Sequence, residues 1–504
     1  MSAPSERLYR FAPRDRAGWI LGLGAPQCLV LAGALLLSAL MASAGAPVPF
    51  LVAPVAGAAV FAFGRWRGRP MHEWVPVLAG WAGLHVRGSI RWTTRVPLLG
   101  EPNSSPTRRA ALPPFLGGLE ILEASAAWTR ARRLGSVGLV ADRGDGCLSG
   151  VLRVQGREFA LVERAEQERL LSAWGDVLAG FCRERGAVSR VAWSEWAAPA
   201  GLEEHLRYVE GESTAEVDSP HRAAYLALVH QAGPMTTCHE VLVTVTIDPR
   251  RARLARNRGD AVDDALAGAV LEELRLLTTR LENAELAVDV PLSPEELREV
   301  LRVRADPTVM GTLATRRRGS PTGPVVGAHN FAPMVVDMHL GHARIDGSLH
   351  RGYWIAEWPR LDVGPGWLAR LLLHDGGVRA VTVVYEPVAP SRSQRQIDRD
   401  ATKLASDEEQ RRKRGFRIGA RHRRAEVAVL DREAELVAGH AELEYVGFLT
   451  VTAADEESLE RSCAEYEQAA AQAGFEVRAL DGQHDAALGA SLPIGRYPTA
   501  RRFA

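Results

Sequence analysis

Lysine is nearly absent from this chain of 504 residues: Lys403 and Lys413 are the only two, and every other basic residue among the 61 is arginine. A P-loop needs Gly-Lys-Ser/Thr, so that the lysine ammonium reaches the β- and γ-phosphates of a nucleotide. Lys403 follows Thr402 and Lys413 follows Arg412, so no Walker A motif exists. If the chain works with an ATP-driven machine, the ATPase is another chain. Cysteine is scarce too. Cys28, Cys147, Cys182, Cys238 and Cys463 are far apart, odd in number and form no CxxC pair. That excludes a zinc site of that type and a disulfide scaffold, and fits reduced, mostly buried thiols. A net charge is missing, with 61 basic against 61 acidic residues, so no global field selects nucleic acid. No Gly-x-Ser-x-Gly elbow, His-Glu-x-x-His helix or nucleotide-binding Gly-x-Gly-x-x-Gly occurs; Gly22-Leu23-Gly24 lies in an apolar segment. The expectation is a protein without catalytic chemistry or a cofactor of its own.

Apolar mass is ample. Hydrophobic residues make up 46% of the chain, enough for folded cores, and the length suggests about three domains. Residues 17–64 contain no Asp, Glu, Lys, Arg or His. The run is too long for one membrane span of about 20 residues and suits two spans with a short turn. The turn falls at Ser43-Ala44-Gly45-Ala46-Pro47-Val48-Pro49, which places the spans near 18–42 and 49–64. Arg7, Arg10, Arg14 and Arg16 precede the run, and Arg65, Arg67 and Arg69 follow it. Positive charge on both flanks puts both ends in the cytoplasm, with Trp19 and Trp66 at the interfaces. Gly18 and Gly22 form a small-xxx-small pair for helix packing. A cleaved signal ending at Ala42-Ser43-Ala44 is the rival, but the apolar run is longer than a signal core of about 7–15 residues.

Beyond the run, residues 70–92 carry Trp74, Val77, Leu78, Trp81, Leu84 and Val86 near helical spacing. They suit a helix lying at the interface or an ordinary core helix. Residues 96–114 are rich in proline and read as a linker. After residue 115 strands alternate with helices. Strands are expected near 137–141, 148–154, 159–162, 188–193, 239–247 and 286–290, and helices over 166–185, 203–209, 220–231 and 261–283. Ser293-Pro294-Glu295-Glu296 has the signature of a helix start: a Ser cap, Pro at the first position and Glu at the third. Residues 305–329, with Arg316-Arg317-Arg318-Gly319-Ser320-Pro321, read as a boundary. The pattern restarts with strands near 332–338, 345–346, 352–358, 380–385, 440–453 and 475–480. A helix is expected over 367–374, another over 456–473, and a long charged one over 391–437, interrupted at Gly415 or Gly419. The fold class expected is α+β: an N-terminal transmembrane helical hairpin, then two cytosolic α/β-sandwich modules of split-βαβ (ferredoxin-like) type. The expected divisions are 1–69 for the anchor, 70–115 for the juxtamembrane segment, 116–304 and 330–504 for the modules, and 305–329 between them.

Two constellations invite a site. Asp337, His339, His342, Asp346 and His350 fall within fourteen residues and suggest Zn²⁺ or Mn²⁺. Strand periodicity puts Asp337 and His339 on one face but His342 beyond Gly341, which favours a polar hairpin edge, and no metal is assigned. Arg411, Arg412, Lys413, Arg414 and Arg417, with Arg421, Arg423 and Arg424 beyond, form the strongest local charge signal. They suit an anionic partner such as DNA phosphates or lipid head groups. Acidic residues on either side, Asp407 to Glu409 and Asp431 to Glu435, also suit a solvated helix of mixed charge.

The organisation resembles an actinobacterial family of two-span membrane proteins, without an assigned activity, from conjugation-type (type IV secretion-like) gene clusters. The stretches that carry the resemblance are Tyr353-Trp354-Ile355-Ala356-Glu357-Trp358-Pro359-Arg360, Val384-Tyr385-Glu386-Pro387-Val388-Ala389-Pro390, Asp431-Arg432-Glu433-Ala434-Glu435-Leu436-Val437-Ala438-Gly439-His440 and Ser491-Leu492-Pro493-Ile494-Gly495. The first hundred residues also look like the PrgI-type component of Gram-positive conjugation machinery. The soluble part is similar to the non-ATPase N-terminal region of the large secretion ATPase. The resemblance implies a membrane-embedded structural subunit that docks a separate ATPase and other channel subunits, oligomeric within a complex. Two other classes remain open: a subunit of a type VII secretion membrane complex, and a membrane-tethered enzyme using Asp337, His339 and His342.

Overall fold

The computed structural model describes residues 9, 11, 24–94, 112–125, 129–130, 135–156, 159–199, 203–213, 216, 219–232, 237–252, 264–319, 331–413 and 419–498. Two apolar helices come first, α1 (Ala25–Ser43) and α2 (Val48–Phe63). The chain reverses at Gly45, whose φ of 75° lies in the left-handed region that favours glycine. Gln27 Nε2 donates to the Ala62 carbonyl at 2.8 Å, and Ser38 Oγ to the Leu51 carbonyl at 2.7 Å. These two bonds, far apart along the pair, fix an antiparallel register. They also turn the polar groups inward, leaving Leu29 at 70% and Leu36 at 67% exposure on the outside. A surface so apolar belongs in lipid or against another protein. Among the described residues one helix, Pro26–Ser43, is long and apolar enough to cross a membrane. The expectation of two spans is not met by length: α2 has 16 residues, short of the roughly 20 a span needs. Gly18 and Gly22 lie outside the described residues.

A small hairpin, β1 (Arg65–Trp66) and β2 (Arg69–Pro70), leads into α3 (Met71–Val86). Trp74 packs against Trp66 with the rings tilted at 45° and their centres 4.4 Å apart, and donates Nε1 to its carbonyl at 3.1 Å. Trp74 and Val77 are buried, whereas Val75, Leu78 and Val86 are exposed. Then β3 (Arg91–Thr93) pairs with β10 (Val335–Met338), so the segment after the apolar helices is an edge strand of the main sheet.

The rest folds around that sheet. The strands are β4 (Leu119–Glu123), β5 (Gly138–Asp142), β6 (Leu148–Gln155), β7 (Val188–Pro199), β8 (Thr237–Ile247), β9 (Ala287–Val288), β10, β11 (Ala343–Ile345), β12 (Ser348–Glu357), β13 (Val378–Pro387), β14 (Leu443–Ala453) and β15 (Glu476–Ala479). The helices are α4 (Arg164–Ala179), α5 (Glu203–Glu212), α6 (Pro220–Ala232), α7 (Asp264–Asn283), α8 (Pro294–Ala305), α9 (Met310–Gly319), the single turn α10 (Ala369–Leu372), α11 (Pro390–Lys413), α12 (Ala420–Val437), α13 (Glu456–Gln472) and α14 (His484–Ser491). Among the described residues the sheet has 13 strands in the order β3-β10-β11-β12-β14-β13-β7-β8-β6-β5-β4, with β15 also on β12 and β9 also on β6. Every pairing is antiparallel.

One order of elements occurs twice. Three strands in a meander, a helix, a strand, two helices, a strand, a helix, a short strand and a helix run from β4 to α8, and again from β10 to α14. The halves meet along β7 and β13, from Arg379 opposite Ala197 to Tyr385 opposite Val191, in one continuous sheet. Alternate strand residues feed two cores. Leu148, Leu152, Val243 and Val245 pack under α7, with Val270, Leu271, Leu274 and Leu277. Val140, Val151 and Leu242 face the other way, with Leu297 and Leu301 of α8 and with Leu492 and Ile494. In the second half Tyr353, Val381, Leu449 and Val451 pack under Leu459, Cys463 and Tyr466 of α13. On its far face α14 comes so close that a Cβ at Gly352 would collide with Ala487. Burial on both faces explains why these strands read as nearly unbroken apolar runs.

Two segments differ from expectation. Residues 159–162 turn instead of forming a strand, with Leu161 exposed and the Phe159 carbonyl accepting from Gln167. Both edges of β6 are already occupied, by β8 on one side and by β5 and β9 on the other. Inside the stretch read as a boundary, residues 310–319 form α9.

Candidate functional site

The basic run sits where two helices converge. Among the described residues, α11 and α12 form a hairpin held at its base. Ile397 is buried there, Ser393 bonds Glu442, and Ser391 N donates to Glu184 at 3.1 Å. Arg432 of α12 reaches Asp400 of α11 at 3.3 Å and Glu442, just before β14, at 2.8 Å. Beyond the base both helices stand in solvent. Arg411, Arg412 and Lys413 occupy the exposed end of α11, and Lys413 Nζ meets Glu409 at 2.9 Å. Arg423 and Arg424 are exposed on the first turns of α12. Arg414 and Arg417 lie outside the described residues. The break expected at Gly415 or Gly419 is present, since Gly419 is the residue that precedes α12.

The His/Asp constellation is dispersed. Asp337 and His339 lie at the mouth of the β10–β11 hairpin, with His339 Nε2 3.8 Å from the Asp337 carboxylate. The His339 and His342 rings lie 4.7 Å apart, tilted at 30°, across the turn, and burial followed by the charge of His339 holds His342 below its ordinary pKa. Asp346, at φ 48°, caps the strand start by accepting from Met334 N and Val335 N, and it pairs with Arg302. His350 is fully buried, 2.9 Å from both Thr452 Oγ1 and the Ala305 carbonyl. Its pKa is pushed down to about 4 by burial. Among the described residues no three His, Cys, Asp or Glu side chains are grouped to hold a metal ion.

Sequence reasoning missed the charges along the β7–β13 seam. Arg379, with 0% side-chain exposure, puts Nη2 3.1 Å from Glu195 Oε1, which also lies 2.6 Å from His239 Nδ1. Its guanidinium sits 5.9 Å from the Tyr466 ring centre and bonds the Leu372 carbonyl. Nearby, Arg304 of α8 donates to Ser194 Oγ at 2.9 Å, the Ser491 carbonyl at 3.0 Å and Glu240 at 3.0 Å. Burial alone would raise the Glu240 carboxyl, but Arg304 and Arg153 outweigh it and hold the pKa below its ordinary value. The available signal was a charge inside an apolar strand: Glu195 between Ser194 and Trp196, and Arg379 between Val378 and Ala380.

Besides the β3–β10 pairing, the apolar helices are fastened to this body at a second place. Arg67 Nη1 meets the buried Asp481 carboxylate at 3.0 Å. Burial raises the Asp481 pKa, and Arg67, Arg351 and Arg69 only partly oppose it. A small cleft lies beside this contact, lined by Trp81 and Leu84 of α3, Phe115, Met338, His339 and Asp485. No protein-family model and no curated protein matches the chain.

Proposed function

We propose that the chain is a membrane-anchored, non-catalytic structural subunit of a type IV secretion-like, conjugative transfer machine. It docks a separate ATPase on its cytoplasmic body. The observation that carries this reading is the antiparallel α1–α2 pair, apolar on its outside and fastened to a large sheet by the β3–β10 pairing and Arg67–Asp481. In this reading both helices enter the bilayer and both chain ends lie in the cytoplasm. α2 is short, so the bilayer thins locally or Arg65 and Trp66 snorkel to the interface. Each half of the body is a split-βαβ module carrying an inserted helical pair. The strand orders β9-β6-β8-β7 and β15-β12-β14-β13 support this. The basic end of the α11–α12 hairpin is the docking patch for an anionic partner.

The anchor is tested by labelling with a membrane-impermeant maleimide in intact cells. An Ala46→Cys substitution in the α1–α2 turn should label from outside. Cys238, exposed in the cytoplasmic body, should label only after the cells are opened. Labelling of Cys238 in intact cells would reverse the topology. Release of the protein by alkaline carbonate would remove the anchor.

A further inference from the structure

The two inserted helical pairs occupy the same place in the repeated order and carry opposite charge. Residues 203–218, spanning α5 and its link to α6, hold six acidic residues against Arg207. Residues 411–424, spanning the end of α11 and the start of α12, hold eight Lys and Arg and no acidic residue. Glu210 and Glu216 are exposed in the first pair; Arg411, Arg412, Arg423 and Arg424 are exposed in the second.

Each pair also bares apolar surface. Tyr225 and Leu228 are exposed on α6, which is tied to α5 by a 2.9 Å contact between His205 Nε2 and Tyr225 Oη. On α12, Val427, Leu430 and Val437 are exposed, the last at 79%, with exposed Ala434 between them. Spacings of three, four and three are those of a seam between helices. Within one chain nothing covers these described faces. β7 and β13 run antiparallel, so α5 follows one end of the strand pair, at Pro199, and α11 the opposite end, at Pro387. The complementary surface is therefore available on a second molecule.

We propose that the acidic α5–α6 pair of one copy docks on the basic α11–α12 hairpin of a second copy. The contact is head-to-tail, with the apolar stripes at its centre and the opposite charges setting orientation. Such a contact uses different surfaces on the two copies, so it propagates into a closed ring or an open filament. The inference rests on reading the basic end of the α11–α12 hairpin as a docking patch and names its occupant.

The test is the mass distribution of the full-length chain in neutral detergent, read by sedimentation at rising salt. The wild type should assemble beyond a dimer at low salt and dissociate as salt screens the contact. Arg411→Glu with Arg412→Glu should weaken assembly by about tenfold or more, and so should Glu210→Arg with Glu216→Arg. The chain carrying all four changes should regain wild-type assembly, because the opposite charges still face each other. A wild type that is monomeric at every salt overturns the proposal. So does assembly insensitive to the Glu210 and Glu216 changes, or no recovery in the fourfold variant. A monomer that still recovers an ATPase from membranes overturns this contact and leaves the scaffold reading intact. An assembly that recovers none does the reverse.

Discussion

Ionisable groups have been drawn into the centre of this molecule and matched there one by one. Arg379 with Glu195, Arg304 with Glu240, and His350 between Thr452 and the Ala305 carbonyl all sit between elements far apart in sequence. A buried charge is tolerated when its partners are in place and is costly when one is removed. His350 makes a pH prediction. In the unfolded chain it binds a proton near its ordinary value of 6.5, but in the folded protein only near about 4. Stability that depends on the neutral ring is therefore present at neutral pH and lost as pH falls through that window, by about 3 kcal/mol in all. His484, pushed down to about 3 by burial, acts in the same direction. The melting temperature should hold above pH 7 and fall between 6.5 and 4, and His350→Gln should flatten about half of that fall. A melting temperature constant down to pH 4.5 would contradict the assignment. Little of this was readable in the sequence. Asp337, His339, His342, Asp346 and His350 are neighbours along the chain, but the β10–β11 hairpin sends them to a turn, a strand start and a core.

At the scale of elements, local signals did best where a local hydrogen bond decides the outcome. Ser293 accepts from Glu296 N at 3.2 Å, and the Glu296 carboxylate accepts from Ser293 N at 2.8 Å, as the Ser-Pro-Glu-Glu run predicts. Ser293→Ala should cost about 1 kcal/mol in chemical denaturation, because the first turn of α8 loses a capped N–H. No change in the denaturation midpoint would mean that Pro294 and the packing of Leu297 hold the helix start without it. Signals failed where a neighbour decides. Phe159-Ala160-Leu161-Val162 has the composition of a strand, yet β6 has no free edge to receive it. α14 was not expected, because a short helix of small residues shows no periodicity until Gly352 gives it a surface to approach.

The whole molecule is a repeated order of elements joined into one sheet, with an apolar helix pair at one edge. The repeat was legible as two alternating runs of strand and helix. Their fusion was not, because nothing local specifies that residues 188–199 pair with 378–387. The edge strand β3 was likewise hidden in a stretch expected to lie beside a membrane, since its partner, β10, lies more than two hundred residues later. This architecture makes the apolar pair and the sheet body one mechanical unit, which is what the proposed scaffold within a translocation channel requires. The most direct measurement is a crosslinked pull-down of the full-length chain from solubilised membranes, read by quantitative mass spectrometry. The account predicts a stoichiometric ATPase partner, with crosslinks concentrated on the second half of the chain. Recovery of this chain alone, with no ATPase at any crosslinker concentration, would contradict it.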